Sequence, residues 1–110
     1  MYEILIVGGG PAGLTAAMYA ARAGKHVAVL ERGSTGGQII SAPLVENYPG
    51  LPSVSGAELA ARMAGQVRAL GAQILSAEAV GLEKTQAGFR VLCTDGVREA
   101  KAVILATGAA

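Results

Sequence analysis

The chain has 110 residues, enough for one domain with its own core. A hydrophobic content of 52% with 16 glycines suits a small-residue α/β domain and excludes a disordered segment. A net charge of +1 without a basic cluster points away from nucleic acid and anionic membranes, and a lone cysteine excludes an internal disulfide or a thiolate metal cluster. No apolar stretch reaches the roughly 18 residues of a membrane-spanning helix. The N-terminus carries neither a basic n-region nor a cleavage site, so no signal peptide is expected. The cysteine usage suits a reducing, cytoplasmic setting.

The apolar run Ile4 to Val7 reads as a buried strand. It breaks at Gly8, and the glycines then fall as Gly8-x-Gly10-x-x-Gly13. Each has a mechanical reason. Gly8 permits a tight turn off the strand, Gly10 lets a pyrophosphate approach the backbone, and Gly13 lets the next helix lie close on the strand. The amide N–H groups and positive dipole end of that helix would face a diphosphate. Pro11 fits the helix start, where its missing N–H has no intrahelical use.

An alanine-rich helix follows over Leu14 to Ala23, with Arg22 in its last turn and Gly24 as its stop. Val27 to Leu30 is a second short buried strand, so strand, helix and strand form a βαβ crossover. Glu31 ends the second strand, 18 residues after Gly13. A dinucleotide unit carries its ribose-binding acid there, and a negative charge at that point disfavours a 2′-phosphate; Arg32 beside it weakens that inference.

Residues 32–55 form a long connection without clear periodicity, of the kind that is ordered against a ligand or the core. Ser55 and Glu58 have the spacing of a capping box. The helix they open runs to about Leu70, with Leu59, Met63, Val67 and Leu70 as one apolar stripe and Gly71 as its stop. Ile74-Leu75 outlines a third parallel strand. Residues 78–100 read as a small antiparallel meander, with a hairpin turn at Asp95-Gly96. Residues 102–106 are a fully apolar strand that meets Thr107-Gly108-Ala109. Without its sheet neighbours, that strand would be the exposed, self-associating edge. Cys93 reads as a small buried apolar residue, and His26 as a structural residue at the helix exit.

Four separated pieces carry a resemblance: Val7-Gly-Gly-Gly-Pro-Ala-Gly13, Gly36-Gly37-Gln38, Val45-Glu46-Asn47-Tyr48-Pro49-Gly50 and Ala106-Thr107-Gly108-Ala109. In order and spacing they resemble the N-terminal FAD-binding segment of low-molecular-weight thioredoxin reductase, across the whole chain. The first and last pieces are common among flavoproteins; the middle two are more specific.

The resemblance implies a Rossmann-like FAD-binding domain over residues 1–110, with a parallel sheet, a βαβ start and a small meander. It implies that Gly8, Gly10, Pro11, Ala12 and Gly13 cradle the FAD pyrophosphate, and that Glu31, with Arg32 beside it, holds the adenosine ribose. Gly36, Gly37, Gln38 and Asn47 would lie along the flavin. The Ala79 backbone would meet the adenine, and Thr107, Gly108 and Ala109 would pass close to the cofactor. In that family electrons pass from NADPH through FAD to a Cys-x-x-Cys disulfide and on to thioredoxin, in a homodimer. The cysteine pair, the NADPH domain and a returning FAD segment have no counterpart in these residues. The chain alone is therefore expected to bind the ADP part of FAD without turnover. A ferredoxin–NADP reductase-type flavoprotein and a non-catalytic dinucleotide-binding module remain as alternatives.

Overall fold

A run of apolar, β-branched residues that must be buried on both sides needs cover on both faces, and strand β1 (Tyr2–Val7) receives it. In the computed structural model, which describes residues 1–33 and 55–107, β1 lies inside a six-stranded sheet. It is followed by α1 (Pro11–Arg22), β2 (Val27–Glu31), α2 (Gly56–Ala69), β3 (Gln73–Ser76), β4 (Ala79–Lys84), β5 (Phe89–Cys93) and β6 (Gly96–Leu105). The sheet order is β3-β2-β1-β6-β5-β4. β1 is parallel to both β2 and β6, and β2 to β3, while β4, β5 and β6 pair antiparallel. This is the expected Rossmann-like arrangement of parallel strands, βαβ start and meander.

Alternation along β1 and β2 sorts the core into two clusters. Ile6, Val27 and Val29 pack with Leu14 and Ala17 of α1 and with Leu59, Met63 and Val67 of α2. Leu5, Ala28 and Leu30 belong to the other cluster, with Val91 and Cys93 of β5 and Ala100 of β6. The meander thus supplies the second cover of the parallel strands. Cys93 is buried there, as its alternating strand implied.

Several boundaries differ from the sequence reading, each for a local reason. α1 begins at Pro11, three residues before Leu14, because Gly10 is an extended N-cap (φ −77°, ψ −175°) and Pro11 takes the first helical position. Its end is as read, with Ala23 as cap before Gly24. In α2, Leu59, Met63 and Val67 are buried, but Leu70 is the C-cap and is 39% exposed, so the apolar stripe stops one residue short.

The capping box is half-formed. Ser55 Oγ accepts the Glu58 amide N–H at 3.1 Å, while the Glu58 carboxylate accepts from Arg62 at 2.8 Å rather than turning back. The hairpin turn lies at Thr94-Asp95, one residue earlier than read, because Gly96 already pairs with Cys93.

The largest difference concerns the end of the meander. Residues 96–105 form one ten-residue strand instead of a meander strand followed by a separate one. Ala100 pairs with Phe89 on one side and Tyr2 on the other. β6 can therefore change partners without a break. Residues 102–105 pair with β1 alone, because the register to β5 ends at Ala100, so their second side has no strand partner among the described residues, as the edge expectation held. β3 and β4 are the outermost strands of the sheet order.

Candidate nucleotide-binding site

The site starts where β1 leaves the sheet. Gly8 makes the last backbone rung to β2, its N–H donating to Leu30 O at 2.8 Å. Its φ of +114° is a conformation that side chains rarely adopt. A Cβ there would also collide with the carbonyl of Ala106 and lie 3.1 Å from Thr107 Cα. β6 holds that flank, with the Ala106 N–H donating to Val7 O at 2.8 Å. Gly13 has a packing reason: a Cβ would fall on the Gly8 carbonyl. The two outer glycines of the fingerprint thus fold the turn tightly between three strands and one helix.

The start of α1 is left open. Gly10 offers no side-chain cap, and the first turn contains no acidic residue. Leu14 is the first residue to bond back, its N–H reaching Gly10 O at 2.9 Å. Pro11 has no N–H, so Ala12 and Gly13 carry helix amides without an intrahelical acceptor. Together with the helix dipole they make an end suited to an anion.

Beside this end runs a cleft of about 280 Å³. Val7, Gly8, Leu30, Glu31 and Arg32 line it from the ends of β1 and β2. Ala77, Glu78 and Ala79 come from the β3–β4 connection, and Thr107 from beyond β6. Glu31 Oε2 accepts the Gly9 N–H at 2.9 Å. Arg32 lies 3.7 Å from Glu78, both side chains largely exposed, so the pair is a weak tether across the cleft.

The structure brings five of the sequence-derived residues to one cleft: Gly8, Glu31, Arg32, Ala79 and Thr107. Gly10, Pro11, Ala12 and Gly13 form the cap and first turn of α1 beside it. Gly36, Gly37, Gln38, Asn47, Gly108 and Ala109 lie outside the described residues. Sequence reasoning missed Gly9, Ala77 and Glu78. Glu78 had a faint signal, an acid beside Ala79 at a strand start. Gly9 had none, since it occupies a variable position of the fingerprint.

The residues fit a diphosphate-bearing nucleotide. The glycine turn leaves no room for Cβ atoms at Gly8 or Gly13, the helix end offers uncapped amides, and the acid stands at the rim. A carboxylate has about four acceptor sites, and the Gly9 bond uses one. The remainder can accept ribose hydroxyls.

Comparison with known proteins agrees with this geometry. The family model of pyridine nucleotide-disulphide oxidoreductases matches residues 2–110. The thioredoxin reductase of Treponema pallidum is 43% identical over 109 residues, covering 98% of this chain and 36% of that protein. That of Listeria monocytogenes is 36% identical, covering 99% of this chain and 34% of that protein. Among solved structures, the thioredoxin reductase of Lactococcus lactis superposes with a TM-score of 0.95 at 38% identity, over 100% of this chain and 36% of that one. The chain spans about a third of the length of the relatives it matches. Among the described residues, no helix is long and apolar enough to cross a membrane.

Proposed function

From the chain's membership of the pyridine nucleotide-disulphide oxidoreductase family, we propose that residues 1–110 form the FAD-binding region of a thioredoxin-reductase-type flavoprotein. The observation that supports this reading is the cleft itself: Gly8 of the glycine turn and Glu31 line it, and the uncapped start of α1 packs on Gly8 through Gly13. The likeness to thioredoxin reductases supports the enzyme type.

In this reading the amides of Gly10, Ala12 and Gly13 bind the pyrophosphate and Glu31 accepts the adenosine ribose hydroxyls. Ala79 contributes backbone beside the adenine, and Thr107 closes the far side. Gly36, Gly37, Gln38 and Asn47 are assigned to the flavin side, and Gly108 and Ala109 to the cofactor's passage beyond β6. FAD, when bound, supplies a hydride-accepting and electron-relaying centre between NADPH and a disulfide. The protein's part is to hold the adenosine diphosphate end and fix its direction.

NADPH as donor, thioredoxin as acceptor, a cytoplasmic location and a homodimer belong to the same proposal for the complete enzyme. Cys93 is the only cysteine in the sequence, so these residues hold no dithiol pair. NADPH-driven disulfide reduction by the 110-residue chain alone is therefore not expected, and a dye-reduction assay reads this directly.

The experiment that tests the reading is the visible spectrum and ligand uptake of the purified chain. Binding of FAD, with competition by ADP, supports it. A colourless protein that takes up NAD but neither FAD nor ADP overturns it.

A further inference from the structure

The Gly9 amide presents a problem that the backbone does not solve. Gly9 is buried, and a buried N–H without a partner is costly, since it has given up its bond to water. The β1–β2 ladder ends one residue earlier, at Gly8 N–H to Leu30 O. The Glu31 side chain supplies the next rung, with Oε2 accepting from Gly9 N–H at 2.9 Å. The fit is close: a Cβ on Gly9 would lie 3.0 Å from Glu31 Cβ and 3.1 Å from its Cγ.

We propose that Glu31 is a positioning residue for the phosphate-binding turn, acting through the Gly9 amide, and not solely a ribose acceptor. The inference rests on the nucleotide reading above and deepens it. The turn is fixed on one flank by β6, through Ala106 N–H to Val7 O, and on the other by β2, first by the Leu30 carbonyl and then by the Glu31 carboxylate. Gly8 and Gly9 thereby spend their amides inside the protein. The amides of Gly10, Ala12 and Gly13 come next in the chain and are aimed by that clamp. The acid at the end of β2 thus sets the phosphate subsite before any ribose arrives.

The sign of one measurement separates the two roles. If Glu31 only touched ribose, removing its negative charge would leave the affinity for ribose-free inorganic pyrophosphate unchanged or raise it. If it clamps the turn, losing the acceptor weakens pyrophosphate binding despite the more favourable charge. Four forms of the 110-residue chain are compared: the parent, Glu31→Ala, Glu31→Asp and Glu31→Gln. Asp keeps the charge but is one methylene too short; Gln keeps an acceptor oxygen at full reach and loses the charge.

The first readout is amide hydrogen exchange at Gly9, which needs no ligand. Exchange at least about tenfold faster in Glu31→Ala and Glu31→Asp, with protection kept in Glu31→Gln, is the expected result. The second is pyrophosphate binding, followed through the amide shifts of Gly10, Ala12 and Gly13. It should weaken roughly fivefold or more in the Ala and Asp forms and be restored by Gln. Thermal melts identify any form that fails to fold, and the Gln and Asp forms keep the comparison decisive if Ala does. Gly9 exchange that is unchanged in Glu31→Asp, or pyrophosphate binding that is equal or tighter in Glu31→Ala, overturns the clamp. A parent that binds neither ADP nor FAD overturns the nucleotide reading, and the phosphate role with it, whatever Gly9 shows. ADP binding by a parent whose Gly9 protection ignores residue 31 overturns the clamp alone.

Discussion

The two helices begin in opposite ways. α2 starts like a helix built for stability. Ser55 caps it through the Glu58 amide, Glu58 places a carboxylate in the first turn, and Arg62 one turn on pairs with that carboxylate at 2.8 Å. α1 has none of this. Its cap is a glycine without a side-chain acceptor, its first turn carries no acid, and its third residue is the glycine on which a Cβ would strike Gly8. Both helices lie on the same face of the same sheet, so the difference is not one of environment. The protein leaves roughly a few tenths of a kcal/mol of capping energy unused at α1. The amides kept open there are the ones a diphosphate needs.

The comparison can be broken most severely at the glycines. Gly13→Val places a β-branched side chain where the Gly8 carbonyl stands, and Gly8→Val adds strain at φ +114° to a collision with Ala106. Each should destabilise the fold by about 3 kcal/mol or more, read in urea unfolding. The same substitution at Gly65 of α2, where a Cβ meets nothing within 4 Å, should be tolerated, with stability unchanged or raised by a few tenths of a kcal/mol because Val is the better helix former.

A sharper test gives α1 what α2 already has. Gly10→Asp supplies a capping carboxylate at the positive helix end. The fold should gain about 0.5–1 kcal/mol. Nucleotide binding should fall more than about tenfold, because the carboxylate occupies the amides and repels phosphate. Stability and affinity moving in opposite directions, by thermal melt and ADP titration, is the signature of an end reserved for a ligand. The mirror experiment is Ser55→Ala. It should cost about 1 kcal/mol and leave ADP affinity unchanged, since α2's amides serve only the helix.

This asymmetry also marks what the sequence could reveal. The fingerprint glycines, Pro11, Glu31, Ser55 and the helix stops were legible because each answers a local backbone demand visible within a few residues. Ala79 and Thr107 were placed only by resemblance, and the structure brings both to the cleft. What escaped depends on contacts between distant segments. The single strand over residues 96–105 arises because Ala100 satisfies Tyr2 and Phe89 at once, which no periodicity records. The Gly9–Glu31 bond joins residues 22 apart across two strands. Gly9 reads as filler in the motif, while the backbone makes it the clamp point.

The opposite end of the sheet offers a milder contrast, because its polar groups are satisfied by one another. The His26 amide donates to Glu3 at 3.0 Å and Lys25 lies 3.7 Å from the same carboxylate. The amide bond and then the nearby cations hold the Glu3 carboxyl below its ordinary value of 4.5. A depressed carboxyl stabilises the folded chain above its unfolded pKa, and that contribution is lost as pH falls through 4.5 and below. Glu3→Gln should flatten this acid limb slightly and leave ADP binding at pH 7 untouched.

The smallest expected effect lies in the α2 pair. Arg62→Ala removes the exposed Glu58–Arg62 contact, with both side chains about half exposed. An i,i+4 pair of this kind contributes roughly 0.3–0.5 kcal/mol and is screened by salt. The loss should therefore be measurable near 20 mM salt and vanish by about 0.5 M. ADP affinity of the parent should also fall with salt, as charge at the α1 end is screened. It should fall equally in Arg62→Ala, because the charges that serve α2 are separate from those that serve the ligand. If the variant's ADP affinity responds differently to salt, the two helix ends are coupled through the helix-side core they share. The division between a capped structural end and an open binding end would then be wrong.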